Sequence, residues 1–254
     1  MKDDFNGLSS VARALMVLED VGLAESRSLA ELAERTKLPK STLMRLLASL
    51  IDLGFLQRTK HGRYAVSIKM WRIGCGAVER ESIRDAVVPA LQAIVEKTGE
   101  TALYAVYEDG HAVYVEKVDG SHPIRAYASV GGRSPAYASA TGKALLSWQP
   151  PREIEAVAAR AEPLTAATLR EGAILQECAS VRAAGIAVNH GEWREGVWGI
   201  AAPVFGRLRD IAVAAIGVSG PRERIEPNVE PWSLQIREVA RELSARYGAV
   251  DRAS

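Results

Sequence analysis

The residues best suited to recognise a polyanion lie in one short segment near the N-terminus, LPKSTLMRLLASL. Arginine can bond two acceptors of guanine at once, lysine suits phosphate, and serine or threonine hydroxyls can contact either. The candidate nucleic-acid contacts in this segment are Lys40, Ser41, Thr42, Met44 and Arg45. Among them, Arg45 is the best candidate for a bidentate contact to a guanine base.

Apolar residues at helical spacing must hold this polar face in place. Leucines recur at i, i+3, i+4 and i+7, namely Leu43, Leu46, Leu47 and Leu50. This spacing predicts a helix with one buried face, and Pro39 suits its first turn because no N–H is needed there. Upstream, Ser28 and Glu31 have the spacing of a capping box, which predicts the start of an earlier helix. Two helices joined by three or four residues, the second beginning basic, are typical of a helix-turn-helix.

The segment FLQRTKHGRYAVS follows the second helix and predicts a strand, a turn near His61-Gly62 and another strand. A basic hairpin in this place is typical of a wing that contacts phosphates or enters a minor groove. Its candidate nucleic-acid contacts are Arg58, Lys60 and Arg63.

The distribution of charge supports the same interpretation, whereas the net charge of +1 does not. Residues 1–36 carry four Lys or Arg and seven Asp or Glu, but residues 37–69 carry seven Lys or Arg and one Asp. Such a switch to basic character is typical of a surface that binds a polyanion. No apolar run approaches the roughly 20 residues of a membrane-spanning helix, and the N-terminus does not resemble a signal peptide. We therefore expect a cytoplasmic protein.

The pattern changes near residue 68 to one of mixed helices and strands. Asp109-Gly110 separates two strand-like segments and is a strong hairpin signal. The predicted elements are a linker helix over 68–81, a helix capped by Ser82 that ends near Gly99, strands TALYAVYE and HAVYVEKV, a strand over 124–129, helices over 139–147, 152–160 and 168–184, strands IAVNHG, VWGIAAPVF and IAVAAIGVSG, and a helix over 231–247. This order predicts an α+β unit with a largely antiparallel sheet.

Residues 9–66 resemble the DNA-binding domain of IclR-type bacterial transcription regulators, through SVARAL, LAELA, LPKST, RLLASL and LGF. Lys37 replaces the glycine usual in that family, and Met44 stands where histidine is common. The resemblance continues through KTGETALYAVYEDGHAVYVEKV, VGGRSPAYASATGKALL, VRAAGIAVN, GVWGIAAPVF and AAIGVSGP. It implies a winged helix-turn-helix domain over 5–67, a linker helix over 68–81 and a GAF-like effector-binding domain with an antiparallel sheet over 82–251.

The resemblance also implies a pocket for a small molecule in the C-terminal domain. Its candidate residues, by position, are Ala140, Thr141, Asn189, Gly199, Gly217 and Ser219, and Trp198 is added because it lies close by in sequence and can form a wall. Relatives that bind small 2-oxo acids tend to have Cys and Ser where Gly199 and Gly217 stand, so we expect a roomier and less polar pocket with Trp193 near its wall. An aromatic or cyclic carboxylate is then the expected effector. Its anion partner is expected to be Arg125, Arg133 or the amides near Ala140.

The function implied is that of a one-component regulator whose effector changes its affinity for operator DNA. The expected partners are a pseudo-palindromic duplex, a small-molecule effector, and further copies of the chain in a homodimer or homotetramer. The identity of the effector and the sign of regulation stay open. Two alternatives also stay open. One is a metabolite-binding or metabolite-processing protein whose N-terminal unit docks a protein, and the other is a dimer that binds nucleic acid without sequence preference.

No residue constellation in the sequence predicts catalysis, so we do not expect an enzyme, a metal or a cofactor. SATGKA is not a phosphate-binding loop, because Tyr137 stands where that motif needs glycine and Ala144 where it needs Ser or Thr. We expect Gly142 and Lys143 to begin a packed helix instead.

Overall fold

The computed structural model describes residues 9–70, 72–73, 83–126, 128–206 and 211–247 of the chain. The chain divides into two compact units, Met1–Glu81 and Ser82–Ser254, and each is described by itself. Within the described ranges, no helix is both long enough and apolar enough to cross a membrane.

The N-terminal unit is a three-helix domain followed by a hairpin. Its elements are α1 (Ser10–Gly22), α2 (Leu29–Thr36), α3 (Lys40–Asp52), β1 (Leu56–Arg58) and β2 (Tyr64–Val66). The predicted capping box is confirmed, since the Ser28 hydroxyl accepts from the Glu31 N–H and the Glu31 carboxylate accepts from the Ser28 N–H. Pro39 is the N-cap of α3, one residue before the helix begins.

The apolar face of α3 forms the centre of this unit, as its leucine spacing predicts. Leu43 and Leu47 are almost wholly buried and belong to one core with Val17 of α1 and Leu32 of α2. The connection from α2 to α3 passes through Lys37, whose φ of 54° lies in the left-handed region. The turn thus has the conformation for which glycine is the least strained residue.

The C-terminal unit is a six-stranded antiparallel sheet with helices on both faces. Its elements are α4 (Ile83–Thr98), β3 (Thr101–Glu108), β4 (His111–Val118), β5 (Arg133–Pro135), α5 (Ala140–Leu146), α6 (Pro151–Ala159), α7 (Glu171–Ala184), β6 (Ala187–His190), β7 (Val197–Phe205), β8 (Ala212–Pro221), α8 (Arg222–Ile225) and α9 (Val229–Arg246). The strand order is β5-β4-β3-β8-β7-β6, and every neighbouring pair is antiparallel.

Successive side chains along each strand point to opposite faces of the sheet, so each face packs in a core of its own. Tyr104 of β3 packs in a core with α4 and α9, whereas Leu103 packs in another core with α5. The predicted hairpin between β3 and β4 is confirmed, with Asp109 and Gly110 both at positive φ. The face covered by α5 is the one that carries the cavity discussed below.

Some predicted elements differ from the structure. Among the described residues of 124–129 there is no strand. The edge strand is Arg133–Pro135 instead, paired with the start of β4. Alternating apolar residues were misleading there, because Ile124 is exposed and its carbonyl accepts a hydrogen bond from Arg224. Residues 68–70 and 72–73 are helical, but the rest of the predicted linker helix and the Ser82 cap lie outside the described residues.

Candidate functional site

The N-terminal turns of α3 present a polar face opposite the leucines. Lys40, Ser41 and Arg45 are exposed, Thr42 is half-buried, and the Met44 side chain is 56% exposed. The described part of the chain offers these five side chains no side-chain hydrogen bond or ion pair. Their donors and the Met44 thioether are therefore available to an outside partner, while the leucine core fixes the position of the helix behind them.

The hairpin is built as a short sheet of three segments. β1 pairs antiparallel with β2, and Arg27 adds a bridge to Tyr64 on the other side of β2. At the tip, the Thr59 N–H donates to the Arg63 carbonyl at 2.8 Å and the Gly62 N–H donates to the Thr59 carbonyl at 2.9 Å. This bonding closes the turn that the sequence predicts near Gly62.

The three basic residues of the hairpin have different surroundings. Arg58 and Lys60 are exposed, and Arg58 lies over the Tyr64 ring. Arg63 is half-buried instead, and its guanidinium donates to Ser26 and to the Glu31 carboxylate at 2.7 Å. Arg63 therefore attaches the hairpin to the capping box of α2, while Arg58 and Lys60 keep their charges at the surface.

Glu31 is the shared acceptor of this attachment. The backbone hydrogen bond from Ser28 and then the hydrogen bond from Arg63 lower the pKa of its carboxyl to about 2. It is therefore ionised throughout the neutral range. The sequence signalled the capping role of Glu31, but not the contact with Arg63, which lies 32 positions away.

The C-terminal unit contains a small cavity under the first turn of α5, beside β7 and β8. Its volume is about 20 Å³, which is room for about one water. The lining residues are Leu103, Tyr114, Ser139, Ala140, Thr141, Asn189, Trp193, Arg194, Val197, Gly199, Val218 and Ser219. The cavity is thus much smaller than the roomy pocket expected from the sequence.

Five of the seven candidate effector residues line this cavity, and Trp198 and Gly217 do not. Gly199 and Trp198 are neighbours on β7, so their side-chain directions are on opposite faces of the sheet. The Trp198 ring packs edge-on against His190, with ring centroids 4.7 Å apart. At Gly217 a Cβ atom would lie 2.1 Å from the Ile200 carbonyl oxygen. Glycine there permits close approach of β7 and β8 rather than enlarging a pocket.

Asn189 lines the cavity, but its amide holds the adjoining loop. Its Oδ1 accepts the N–H groups of Gly191 and Glu192, both at 3.0 Å, and its Nδ2 donates weakly to the Val197 carbonyl. Asn189 therefore fixes the start and the end of the 190–197 segment that carries Trp193 and Arg194.

A buried ion pair, which the sequence did not reveal, joins this segment to α5. Lys143 is 2% exposed, and its Nζ lies 2.8 Å from Oε1 of Glu192 and 2.8 Å from Oε1 of Glu177. Burial alone raises the pKa of Glu192, but hydrogen bonding from His190 and the charge of Lys143 outweigh burial and lower it. Lys143 thus lies in a packed helix, as expected, although the helix begins earlier, at Ala140. The signal available in the sequence was a single lysine among small and apolar residues.

The cation at the cavity is Arg194, which was not among the expected anion partners. Its guanidinium carbon lies 4.2 Å from the centroid of the Trp193 ring. The two expected arginines lie elsewhere, since Arg125 is 3.6 Å from Asp119 and Arg133 pairs with Glu108. The third expected partner, the backbone near Ala140, does line the cavity. The only hint in the sequence was a Trp-Arg pair between two glycines, Gly191 and Gly196.

Tyr114 closes the cavity from β4. Its hydroxyl donates to the Ser134 hydroxyl at 3.0 Å. Burial raises the pKa of Tyr114, although hydrogen bonds to Ser134 and Thr141 and the charge of Arg194 act in the other direction. Tyr114 is therefore neutral at neutral pH. In the described residues, no group of three or more His, Cys, Asp or Glu side chains is placed to hold a metal ion.

A helix-turn-helix with a basic hairpin, followed by an antiparallel sheet domain with an internal cavity, is the arrangement of a DNA-binding transcription regulator. The family model "IclR helix-turn-helix domain" matches residues 10–60, and "Bacterial transcriptional regulator IclR C-terminal" matches residues 75–245. The chain belongs to the IclR family of bacterial transcription regulators.

Individual relatives agree over nearly the full length. "Transcriptional repressor IclR" of Escherichia coli (strain K12) is 30% identical over 253 residues, covering 96% of this chain and 91% of the repressor. "HTH-type transcriptional regulator KipR" of Bacillus subtilis (strain 168) is 28% identical, covering 96% of this chain and 98% of KipR. The crystal structure of an IclR homologue complexed with 4-hydroxybenzoate, from Microbacterium hydrocarbonoxydans, has a TM-score of 0.80 at 24% identity. It covers 95% of this chain and all of the homologue, and it shows the shared fold.

Proposed function

We propose that α3 and the hairpin bind an operator duplex, with α3 in the major groove. The observation that carries this proposal is the polar N-terminal face of α3, whose side chains are exposed and unpaired within the described part of the chain. In a helix-turn-helix, the N-terminal residues of the second helix contact base edges. Arg45 contacts guanine, Lys40 contacts phosphate, and Ser41, Thr42 and Met44 complete the surface.

In this proposal the hairpin contributes sequence-independent contacts. Arg58 and Lys60 bind phosphates, since both are exposed at the tip. Arg63 acts from behind by holding the hairpin against α2 through Glu31. A pseudo-palindromic operator requires two copies of the reading helix, so the protein acts as a homodimer or a pair of dimers. It works in the cytoplasm, where bacterial DNA lies.

The C-terminal unit, in the same proposal, binds a small-molecule effector that changes operator affinity. The effector is an aromatic or cyclic carboxylate. The ring-bearing side chains Tyr114 and Trp193 at the cavity support this class, and so does the fold shared with a homologue that holds 4-hydroxybenzoate. Effector binding must favour one arrangement of the dimer over another, because equal affinity for both shifts nothing. The protein's role is regulatory and not catalytic.

Selection of the purified full-length protein on random duplex DNA tests this function. The proposal predicts enrichment of an inverted repeat with half-sites about one helical turn apart, or a multiple of that distance. Retention of all sequences equally, governed by salt concentration alone, would support the nonspecific alternative instead. Conversion of a bound small molecule into a product would support the metabolite-processing alternative.

A further inference from the structure

Arg194 is the charged residue of the effector cavity. Of the twelve described residues that line the cavity, Arg194 alone carries a formal charge at neutral pH, because Tyr114 keeps its proton. The ion pairs within the described part of the chain include none for Arg194, and its guanidinium rests on the Trp193 ring. The cavity therefore presents one positive charge that the described residues do not neutralise.

Two other polar side chains that line the cavity are already bonded within the protein. The Asn189 amide oxygen holds two loop N–H groups, and the Tyr114 hydroxyl donates to Ser134. The charge of Lys143, next to the cavity on α5, is met by Glu192. An incoming anion thus finds its charge partner in Arg194, whose planar fork suits a carboxylate with two parallel hydrogen bonds.

Trp193 and Arg194 also lie on the part of the cavity wall that has to move if an aromatic ligand is to enter. They lie on a turn between Gly191 and Gly196, which both have positive φ, at 88° and 72°. The base of this turn is fixed by the hydrogen bonds of Asn189, while Arg194 itself is exposed and Trp193 is half-buried. A volume of about 20 Å³ cannot contain an aromatic ring, so the ring must displace side chains that are not locked in the core.

We infer that Arg194 binds the carboxylate of the effector and restricts the cavity to anions, with the ring of the effector beside Trp193. This inference rests on the proposed role of the cavity as the effector site. It assigns selectivity to a residue outside the positions that the family resemblance implied. It also makes charge, rather than cavity size, the feature that separates accepted from rejected ligands.

The test compares two probes of equal shape by calorimetry on the full-length protein: 4-hydroxybenzoate, which is an anion, and 4-hydroxybenzamide, which is neutral. The wild type is expected to bind the acid at least about tenfold more tightly than the amide, since hydrogen bonds to charged groups are the stronger ones. Arg194→Gln is expected to remove that preference, because it should weaken binding of the acid about tenfold and leave binding of the amide almost unchanged. Arg152→Gln, an exposed arginine on α6, serves as the matched control and keeps the preference.

Thermal melting of each variant checks that Arg194→Gln is folded. A folded Arg194→Gln protein that binds the acid like the wild type would overturn the inference, as would a wild type that binds acid and amide equally. A wild type that selects an operator but binds neither probe would also overturn it, and would leave the DNA-binding function standing. Loss of operator selection itself would instead count against the proposed function.

Discussion

The surface of α3 and the cavity of the C-terminal unit both contain polar residues, but those on α3 are mostly exposed, whereas several at the cavity are bonded within the protein. On α3, Lys40 and Arg45 extend into solvent and leave the stability of the unit to the leucines behind them. At the cavity, Asn189 and the nearby Lys143 are bonded within the protein. A rigid duplex can be contacted by side chains already exposed, whereas a small ligand must compete with internal contacts. Substitutions should therefore separate function from stability at α3 and affect both at the cavity.

The largest contrast is expected between two lysines. Lys143→Met leaves the buried Glu192 carboxylate without its cation and should lower the free energy of unfolding by about 3–5 kcal/mol. Lys40→Met, on the exposed face of α3, should change it by less than about 0.5 kcal/mol. Urea titrations followed by circular dichroism measure both. Similar small losses in the two variants would show that Lys143 does not support the loop that covers the cavity.

A second contrast lies within α3 itself. Leu47→Ala removes a buried side chain and should lower the free energy of unfolding of the N-terminal unit by about 2–5 kcal/mol. Met44→Ala, three residues earlier and 56% exposed, should leave stability unchanged and alter only which duplexes are selected. Chemical denaturation and duplex selection are run on both variants. A destabilised Met44→Ala protein would mean that the two faces of α3 are not separate.

A smaller gain in stability is expected at the turn before α3. Lys37 holds a φ of 54°, a conformation that costs a non-glycine residue about 1 kcal/mol or more. Lys37→Gly should therefore raise the free energy of unfolding by about 1 kcal/mol. Lys37→Ala is the control and should give no such gain, because alanine meets the same strain. Equal effects of glycine and alanine would indicate that the charge, and not the backbone, matters here.

The smallest effect concerns the attachment of the hairpin to α2. The pKa of Glu31 is about 2 in the folded chain against an ordinary value of 4.5. As the pH falls, the Glu31 carboxylate takes up a proton in the unfolded chain before it does so in the folded chain. The stabilisation that the ionised Glu31 contributes to the folded state is therefore complete above pH 4.5 and is lost as the pH falls through 2. The check is the melting temperature measured as a function of pH. As the pH falls below 4.5, the melting temperature of Glu31→Gln should decrease less steeply than that of Glu34→Gln, an exposed control on α2. The same pH dependence of the melting temperature in both variants would contradict the attachment of the hairpin to α2 through Glu31.

Local signals predicted most of the N-terminal unit. The Ser28–Glu31 capping box and the leucine spacing of α3 depend on residues a few positions apart, and both are confirmed. The same holds for the Asp109-Gly110 hairpin. By contrast, the apolar alternation over 124–129 predicted a strand where the described residues have none, because pairing with β4 is decided by residues distant in sequence.

The cavity was harder to predict because its members come from distant segments. Closeness in sequence suggested Trp198, but strand alternation directs its ring away from the face of its cavity-lining neighbour Gly199. Nothing local joins Lys143 to Glu192 across 49 positions, and nothing local indicates that Arg194 reaches the cavity. The sequence thus located the domain of the cavity but not its charges or its size.

The central claim, that α3 recognises base sequence, is tested most directly by affinity ratios. The measurement is the ratio of dissociation constants for the selected operator and a scrambled duplex of equal length, at one salt concentration. Arg45→Ala should reduce the preference for the operator over the scrambled duplex about tenfold, since a bidentate contact to guanine is worth about 1–3 kcal/mol. Lys60→Ala, in the hairpin, should weaken both duplexes alike and keep the ratio. An Arg45→Ala protein that loses affinity for both duplexes equally would contradict the claim.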